Sequence, residues 1–168
     1  MPPRLVTRRR ARDLRYDLVG AGLGMGLIGL LAWWTGMPLL FPSLGPSLML
    51  VLDSPSQPSA QTTNIVIGHA VGLLVGVLAV AVTGLQGAPP VTDAGTSGAR
   101  VLAAALALSL TTVILHALDR SHAPSGATTL IVALGLLDSP SELAAMCLAF
   151  VLLAGLCVVL RRIRSMIA

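Results

Sequence analysis

Four stretches of this chain are apolar over the length that a lipid bilayer demands: Leu18–Gly36, Asn64–Leu85, Arg100–Leu118 and Glu142–Leu160. The hydrocarbon core is roughly 30 Å thick and an α-helix rises about 1.5 Å per residue, so a crossing needs about 20 apolar residues. The rest of the composition agrees, with 55% hydrophobic residues, 11% charged residues and a mean hydropathy of +0.86, far too apolar for an ordinary soluble domain. The expected fold class is an all-α membrane protein, with the lipid bilayer as its first partner.

Two shorter apolar runs, Leu44–Leu52 and Gly126–Leu137, lie between the long ones and are too short for a comfortable helical span. They belong to an internal repeat. Pro42-Ser43-Leu44-Gly45-Pro46-Ser47 opens the first and Asp53-Ser54-Pro55-Ser56 ends it; Pro124-Ser125-Gly126-Ala127-Thr128 opens the second and Asp138-Ser139-Pro140-Ser141 ends it. The chain therefore parses as an Arg-rich segment 1–17, a single transmembrane domain 18–160 and a basic tail 161–168. Within the domain, repeat 1 is 18–85, a Gly- and Pro-rich linker is 86–99 and repeat 2 is 100–160. Each repeat reads as long helix, short membrane-embedded helix, long helix. If the short helices dip in and return, four helices span the bilayer; if they cross, six segments span it and the halves are inverted repeats. Run length favours four full spans with two re-entrant helices.

The net charge of +4 comes from arginines gathered at the two ends. Arg4, Arg8, Arg9, Arg10, Arg12 and Arg15 precede the first long run, and Arg161, Arg162 and Arg164 follow the last. That is the positive-inside pattern, with both termini in the cytoplasm and an even number of crossings, rather than a nucleic-acid-binding surface. The first apolar run is long and lacks a small-residue cleavage site, so it reads as a retained anchor in the cell (inner) membrane rather than a signal peptide. Gly20 with Gly24, Gly22 with Gly26, and Gly72 with Gly76 form GxxxG pairs, which let backbones approach closely in lipid and favour packing within the bundle or a homo-oligomer.

Ionisable groups inside apolar segments are expensive and mark functional candidates. Here they are His69, His116, His122, Asp53, Asp138 and Asp119. Ser139, Pro140 and Glu142 form a capping box that accounts for Asp138-Ser139-Pro140-Ser141-Glu142 as a helix start. His116 can pair locally with Asp119 or Arg120. A short helix that starts inside the membrane would turn unpaired N–H groups and its positive dipole end inward, which suits a small anion, and Ser43, Ser47, Ser125, Thr128 and Thr129 would add hydroxyls. The bland alternative is that these hydroxyls cap their own helices. Cys147 and Cys157 have no ligand-type neighbours at metal spacing, so no metal and no cofactor is expected. No nucleophile elbow, Walker loop or HExxH motif is present, and no enzymatic activity is expected.

Three passages together resemble the HPP family of small integral membrane proteins, named for a His-Pro-Pro tripeptide. Phe41-x-Ser43-Leu44-Gly45-x-Ser47 is similar to the first short segment of that family, and Pro58-x-Ala60-Gln61-x-x-Asn64-x-x-x-Gly68-His69 to the stretch that follows. His122-Ala123-Pro124-Ser125-Gly126-Ala127-Thr128-Thr129-Leu130 resembles the signature, with Ala123 in place of its first proline. Thr62 and Thr63 stand where the family pattern has Pro-Arg, so a basic group near His69 is missing. The resemblance implies transport, because plastid and cyanobacterial relatives are associated with nitrite movement. The expected function is a small-anion transporter or channel, with a non-transporting assembly subunit of a membrane complex as the alternative. The expected substrate-binding residues are His69, His122, Gly45, Ser47, Gly126 and Thr128.

Overall fold

In a computed structural model the described residues are 3–167, with side chains described for 14–166. They fold into helices α1 (Pro3–Thr35), α2 (Leu44–Asp53), α3 (Thr62–Val82), α4 (Val91–Ala94), α5 (Gly98–Ala117), α6 (Ser125–Ala133) and α7 (Pro140–Ile167), with a 3-10 turn at Pro58–Ala60 before α3. The side chains of Arg4, Arg8, Arg9, Arg10 and Arg12 lie outside the described residues; the backbone of that segment continues into α1.

Four helices, in α1, α3, α5 and α7, are long and apolar enough to cross a membrane, and α2 and α6 are the expected short ones. Neighbouring residues then establish the direction of each. Tyr16 in α1 donates to the Leu160 carbonyl of α7 at 2.7 Å, Gly20 packs against Leu52 and Leu160, and Gly24 against Leu48 and Leu156. So α1 runs antiparallel to both α2 and α7, and the end of α2 lies beside the start of α1. Arg164 donates to the Leu52 carbonyl and Arg161 to that of Ala60, which joins the ends of α2 and α7 to the start of α3. Across the two repeats Gly68, Gly72 and Gly76 of α3 meet His122, then Ser125 and Thr129, then Val132, so α3 and α6 run parallel. Arg100 at the start of α5 donates to the Ala133 carbonyl at the end of α6, while Thr111 meets Thr129, so these two run antiparallel.

Following these directions, the chain passes from one end of the bundle to the other six times, with both described termini at the same end. Of the two topologies compatible with the repeat, the contacts are those of six passes with inverted halves, not of re-entrant short helices. The physical reason lies in the non-helical flanks. Ten residues of α2 rise only about 15 Å as a helix, but the eight residues 36–43 ahead of it can add up to roughly 26 Å in a non-helical conformation. Such backbone is tolerated at membrane depth when protein covers it. Leu39 is fully buried, Phe41 is buried, and Leu39 N–H and Leu44 N–H donate to the Met37 and Phe41 carbonyls.

The core lies between α2, α3 and α7, where Leu44, Leu48, Ile65, Met146 and Leu153 are buried. The outer surface carries Leu18, Leu74, Val82, Trp33 and Trp34, as expected of a lipid-facing shell. The two GxxxG pairs of α1 separate: Gly20 and Gly24 face the bundle, whereas Gly22 and Gly26 face away with nothing packed on them.

Candidate functional site

Each short helix carries a hydroxyl at its fourth residue, Ser47 in α2 and Thr128 in α6, and both hydroxyls reach the same imidazole. His69 Nε2 lies 2.9 Å from Ser47 Oγ and His69 Nδ1 lies 2.7 Å from Thr128 Oγ1. Ser47 Oγ also lies 3.0 Å from His122 Nε2, and His122 Nδ1 is 2.8 Å from the Ser59 carbonyl. All four side chains are at most 1% exposed. The first turns of the two short helices therefore converge on one buried polar cluster, formed by residues 47, 69, 122 and 128.

Local sequence explains the convergence. Gly68, Gly72 and Gly76 line one face of α3 and let α6 lie on it; a Cβ at Gly72 would stand 2.7 Å from both the Ser125 carbonyl oxygen and Thr129 Oγ1. Thr129 in turn bonds Thr111 Oγ1 and the Ser125 carbonyl, and Ser125 Oγ donates to the His122 carbonyl, so the loop before α6 is held against both neighbours. Phe150 of α7 stacks on His69 from the other side, with ring centres 5.7 Å apart and planes 12° from parallel. The two histidine rings meet edge to face at 5.0 Å.

The partners assign the protons. A carbonyl only accepts, so His122 carries its hydrogen on Nδ1 and donates to Ser59. A neutral His122 then offers a lone pair at Nε2, and of the two acceptors within reach of the Ser47 hydroxyl, this nitrogen at 3.0 Å and the Ser43 carbonyl at 3.2 Å, donation to the nitrogen leaves no ring atom without a partner. Ser47 has a single hydrogen, so it accepts from His69 Nε2–H, and His69 Nδ1 accepts from Thr128. Four hydrogen bonds thus run in one sense, Thr128 to His69 to Ser47 to His122 to Ser59, and no polar ring or hydroxyl atom in the chain is left without a partner.

Two of the expected site residues stand apart from this cluster. Gly45 is half-buried with open space around it, and Gly126 is half-buried beside Leu108. The expected unpaired N–H groups at the start of α6 are also replaced by a closed turn. Ser125, Gly126 and Ala127 N–H donate to the His122, Ala123 and Pro124 carbonyls, because Pro124 is itself in the right-handed helical region and continues the coil backward. Side chains, not free amides, carry the polarity here.

Sequence reasoning missed Ser59, which acts through its carbonyl and has no side-chain signature, and Phe150. The latter had a signal: it is one of only two phenylalanines in the chain, and the other, Phe41, belongs to the family-like passage. Arg120 also gains a place. Its Nη1 donates to Asn64 Oδ1 at 3.2 Å, so the α5–α6 connection supplies a guanidinium to the first turn of α3, the region whose family-type arginine is absent.

Other candidates resolve differently. Glu142 accepts from Ser139 Oγ and from the Asp138 and Ser139 N–H groups, while Glu142 N–H donates to Ser139 Oγ, the reciprocal capping of α7. Asp53 and Asp138 are exposed; the hydroxyl of Ser54 donates to Asp53. His116 is exposed, and Arg120 turns to Asn64 instead of to it. Cys147 and Cys157 are free thiols. Among the described residues no group of three His, Cys, Asp or Glu side chains is placed to hold a metal ion.

A cavity of about 290 Å³ adjoins the cluster between α5 and the start of α6. His122, Ser125, Gly126, Thr111, Thr112 and His116 line it. A larger hollow of about 560 Å³ at Leu30, Leu31, Trp33 and Trp34 is a feature of the lipid-facing shell, far from the polar residues.

Residues 6–165 match the family described as HPP, transmembrane region. A curated Dictyostelium discoideum protein described as a transmembrane protein is 37% identical over 92 residues, which cover 55% of this chain and 26% of that relative. The match thus spans about a quarter of the relative's length. No solved structure matches the chain.

Proposed function

We propose, from the premise that this chain belongs to the HPP family of integral membrane proteins, that it moves a small anion across its membrane, with nitrite as the favoured substrate through the family resemblance. The observation that carries the reading is the cluster of Ser47, His69, His122 and Thr128 at the meeting point of the two short helices. Polar residues at such depth in an apolar bundle are retained at an energetic cost and generally mark a solute or proton path. Histidine N–H and hydroxyl groups are donors that can replace an anion's lost hydration, and the adjoining cavity of about 290 Å³ has room for a small solute and its water. In the closed arrangement the cluster's members satisfy one another. Transport then consists of exchanging those bonds for bonds to the solute, in an inverted-repeat bundle whose halves rock about the fixed centre.

The self-saturation of the cluster also favours a second reading, in which it only ties α2, α3 and α6 together and the protein is an assembly subunit. Nitrite uptake into proteoliposomes of the purified protein separates the two. The transport reading expects uptake above that of protein-free vesicles, abolished by replacing His69; uptake equal to protein-free vesicles sinks it. Assembly as a homo-oligomer, with both termini cytoplasmic, belongs to the same proposal. The outward Gly22 and Gly26 face of α1 supports it, and native mass spectrometry in detergent tests it.

A further inference from the structure

The cluster contains two imidazoles and no permanently charged group, which poses a problem for any anion that enters it. An uncompensated charge in a dry, low-dielectric site is strongly disfavoured. The same is true of an imidazolium standing alone. The groups that face His122 are the Ser59 carbonyl from the 3-10 turn, Ser47 from α2, Gly68 and His69 from α3, and Thr111, Thr112 and His116 of α5 across the cavity. The connection leading to His122 carries Asp119, which is exposed, and Arg120, which is held on Asn64, while Arg161 is held on the Ala60 carbonyl. No carboxylate stands among these contacts of the described residues, so none of them neutralises a protonated His122. An incoming anion would do so, and the imidazolium would neutralise the anion.

The hydrogen-bond geometry offers one place for the extra proton. In the neutral chain the lone pair of His122 Nε2 is occupied by the Ser47 hydroxyl. Ser47 Oγ has a second acceptor within reach, the Ser43 carbonyl at 3.2 Å. A proton arriving at His122 Nε2 turns the Ser47 hydrogen toward Ser43, and Ser47 Oγ then accepts from both histidines. Every donor keeps an acceptor, and one hydroxyl rotation is the only rearrangement. His69 has no equivalent place. Its free lone pair, on Nδ1, is filled by Thr128, whose hydroxyl makes no second hydrogen bond among the described residues, and of the two buried histidines His122 lines the cavity whereas His69 does not.

We propose that His122 Nε2 is the proton-binding site of an electroneutral anion–proton cotransport, with Ser47 as the hydroxyl switch between His122 and the Ser43 carbonyl. The proposal rests on the transport reading above. One proton passes from solvent in the cavity to His122 Nε2, one anion binds beside the imidazolium, and both leave on the far side, so no net charge crosses and His122 returns to its neutral form. Carrying a proton is among the uses of a histidine, and here the anion that enters with the proton supplies the charge that holds it.

Two measurements test it. In proteoliposomes with the membrane potential clamped by potassium and valinomycin, nitrite uptake and internal pH are followed together. The expected result is one proton entering per nitrite, uptake that rises in proportion to external proton concentration, and no response to the imposed potential. His122→Gln is expected to lose the dependence on external pH. Nitrite flux that follows the potential without proton entry overturns the coupling and leaves transport standing. Absence of flux above protein-free vesicles overturns both. Separately, nitrogen NMR of histidine-labelled protein in lipid, without nitrite, reads the tautomers directly. His122 is expected as the Nδ1–H form and His69 as the Nε2–H form, with His122 taking the first added proton. A neutral His122 carrying its hydrogen on Nε2, or His69 protonating first, overturns the assignment whether or not the protein transports.

Discussion

The two halves follow the same path in opposite directions, yet they place different chemistry at matching positions. Three residues ahead of α2 stands Phe41; three residues ahead of α6 stands His122. His69 of α3 meets Phe150 of α7 where those helices cross. The hydroxyls match, Ser47 for Thr128, but each histidine in one half is answered by a phenylalanine in the other. The packing differs in the same sense. Around His69 the positions one before, three after and seven after are Gly68, Gly72 and Gly76; around Phe150 they are Ala149, Leu153 and Cys157, all fully buried. The glycines bring α6 close to α3 and its histidine, whereas larger side chains fill the corresponding space on α7. The difference teaches that an inverted repeat supplies two equivalent arms, while side-chain asymmetry makes a one-way hydrogen-bond chain from them.

That comparison can be broken most severely by His69→Phe, which would place phenylalanine at both crossing positions. It strands the Thr128 hydroxyl, so we expect nitrite uptake to fall to the protein-free level and stability to drop by about 1–3 kcal/mol, read by uptake assays and by denaturant unfolding in detergent. Gly72→Ala tests the packing difference, since its Cβ would press on the Ser125 backbone. A loss of about 1–3 kcal/mol is expected, and an unchanged unfolding midpoint would show that α6 is not held by close approach to α3. The helix starts differ too: α7 begins with a reciprocal cap on Glu142, whereas the N-cap of α3, Gln61, makes no side-chain cap bond. Glu142→Ala should therefore lower stability by about 0.5–1 kcal/mol, measured in the same unfolding assay, with uptake kinetics preserved. The smallest effect belongs to Gly22→Ala on the outward face of α1, with a change within about 0.5 kcal/mol in the monomer. If α1 pairs with a second copy there, the same variant shifts the oligomer distribution in native mass spectra.

Much of the architecture was legible because hydrophobic run length is a local property. Four stretches near 20 residues had to become long helices in lipid, Gly-Pro-Ser and Gly-Ala-Thr had to open short ones, and Ser139 with Glu142 had to cap α7, since each outcome depends on neighbours a few residues away. His69, His122, Ser47 and Thr128 were recognisable as polar residues in costly places. Their partners were not recognisable, because the bonds that join them link residues 22, 75 and 59 positions apart and exist only where helices meet. Tertiary structure alone decided that the short helices traverse the bundle, since their reach depends on non-helical flanks whose path is set by burial against neighbours. It also decided that the start of α6 is closed by its own turn, and that a carbonyl at Ser59 fixes the sense of the proton chain. A backbone oxygen carries no mark in the sequence of where it will point; packing gives it a direction.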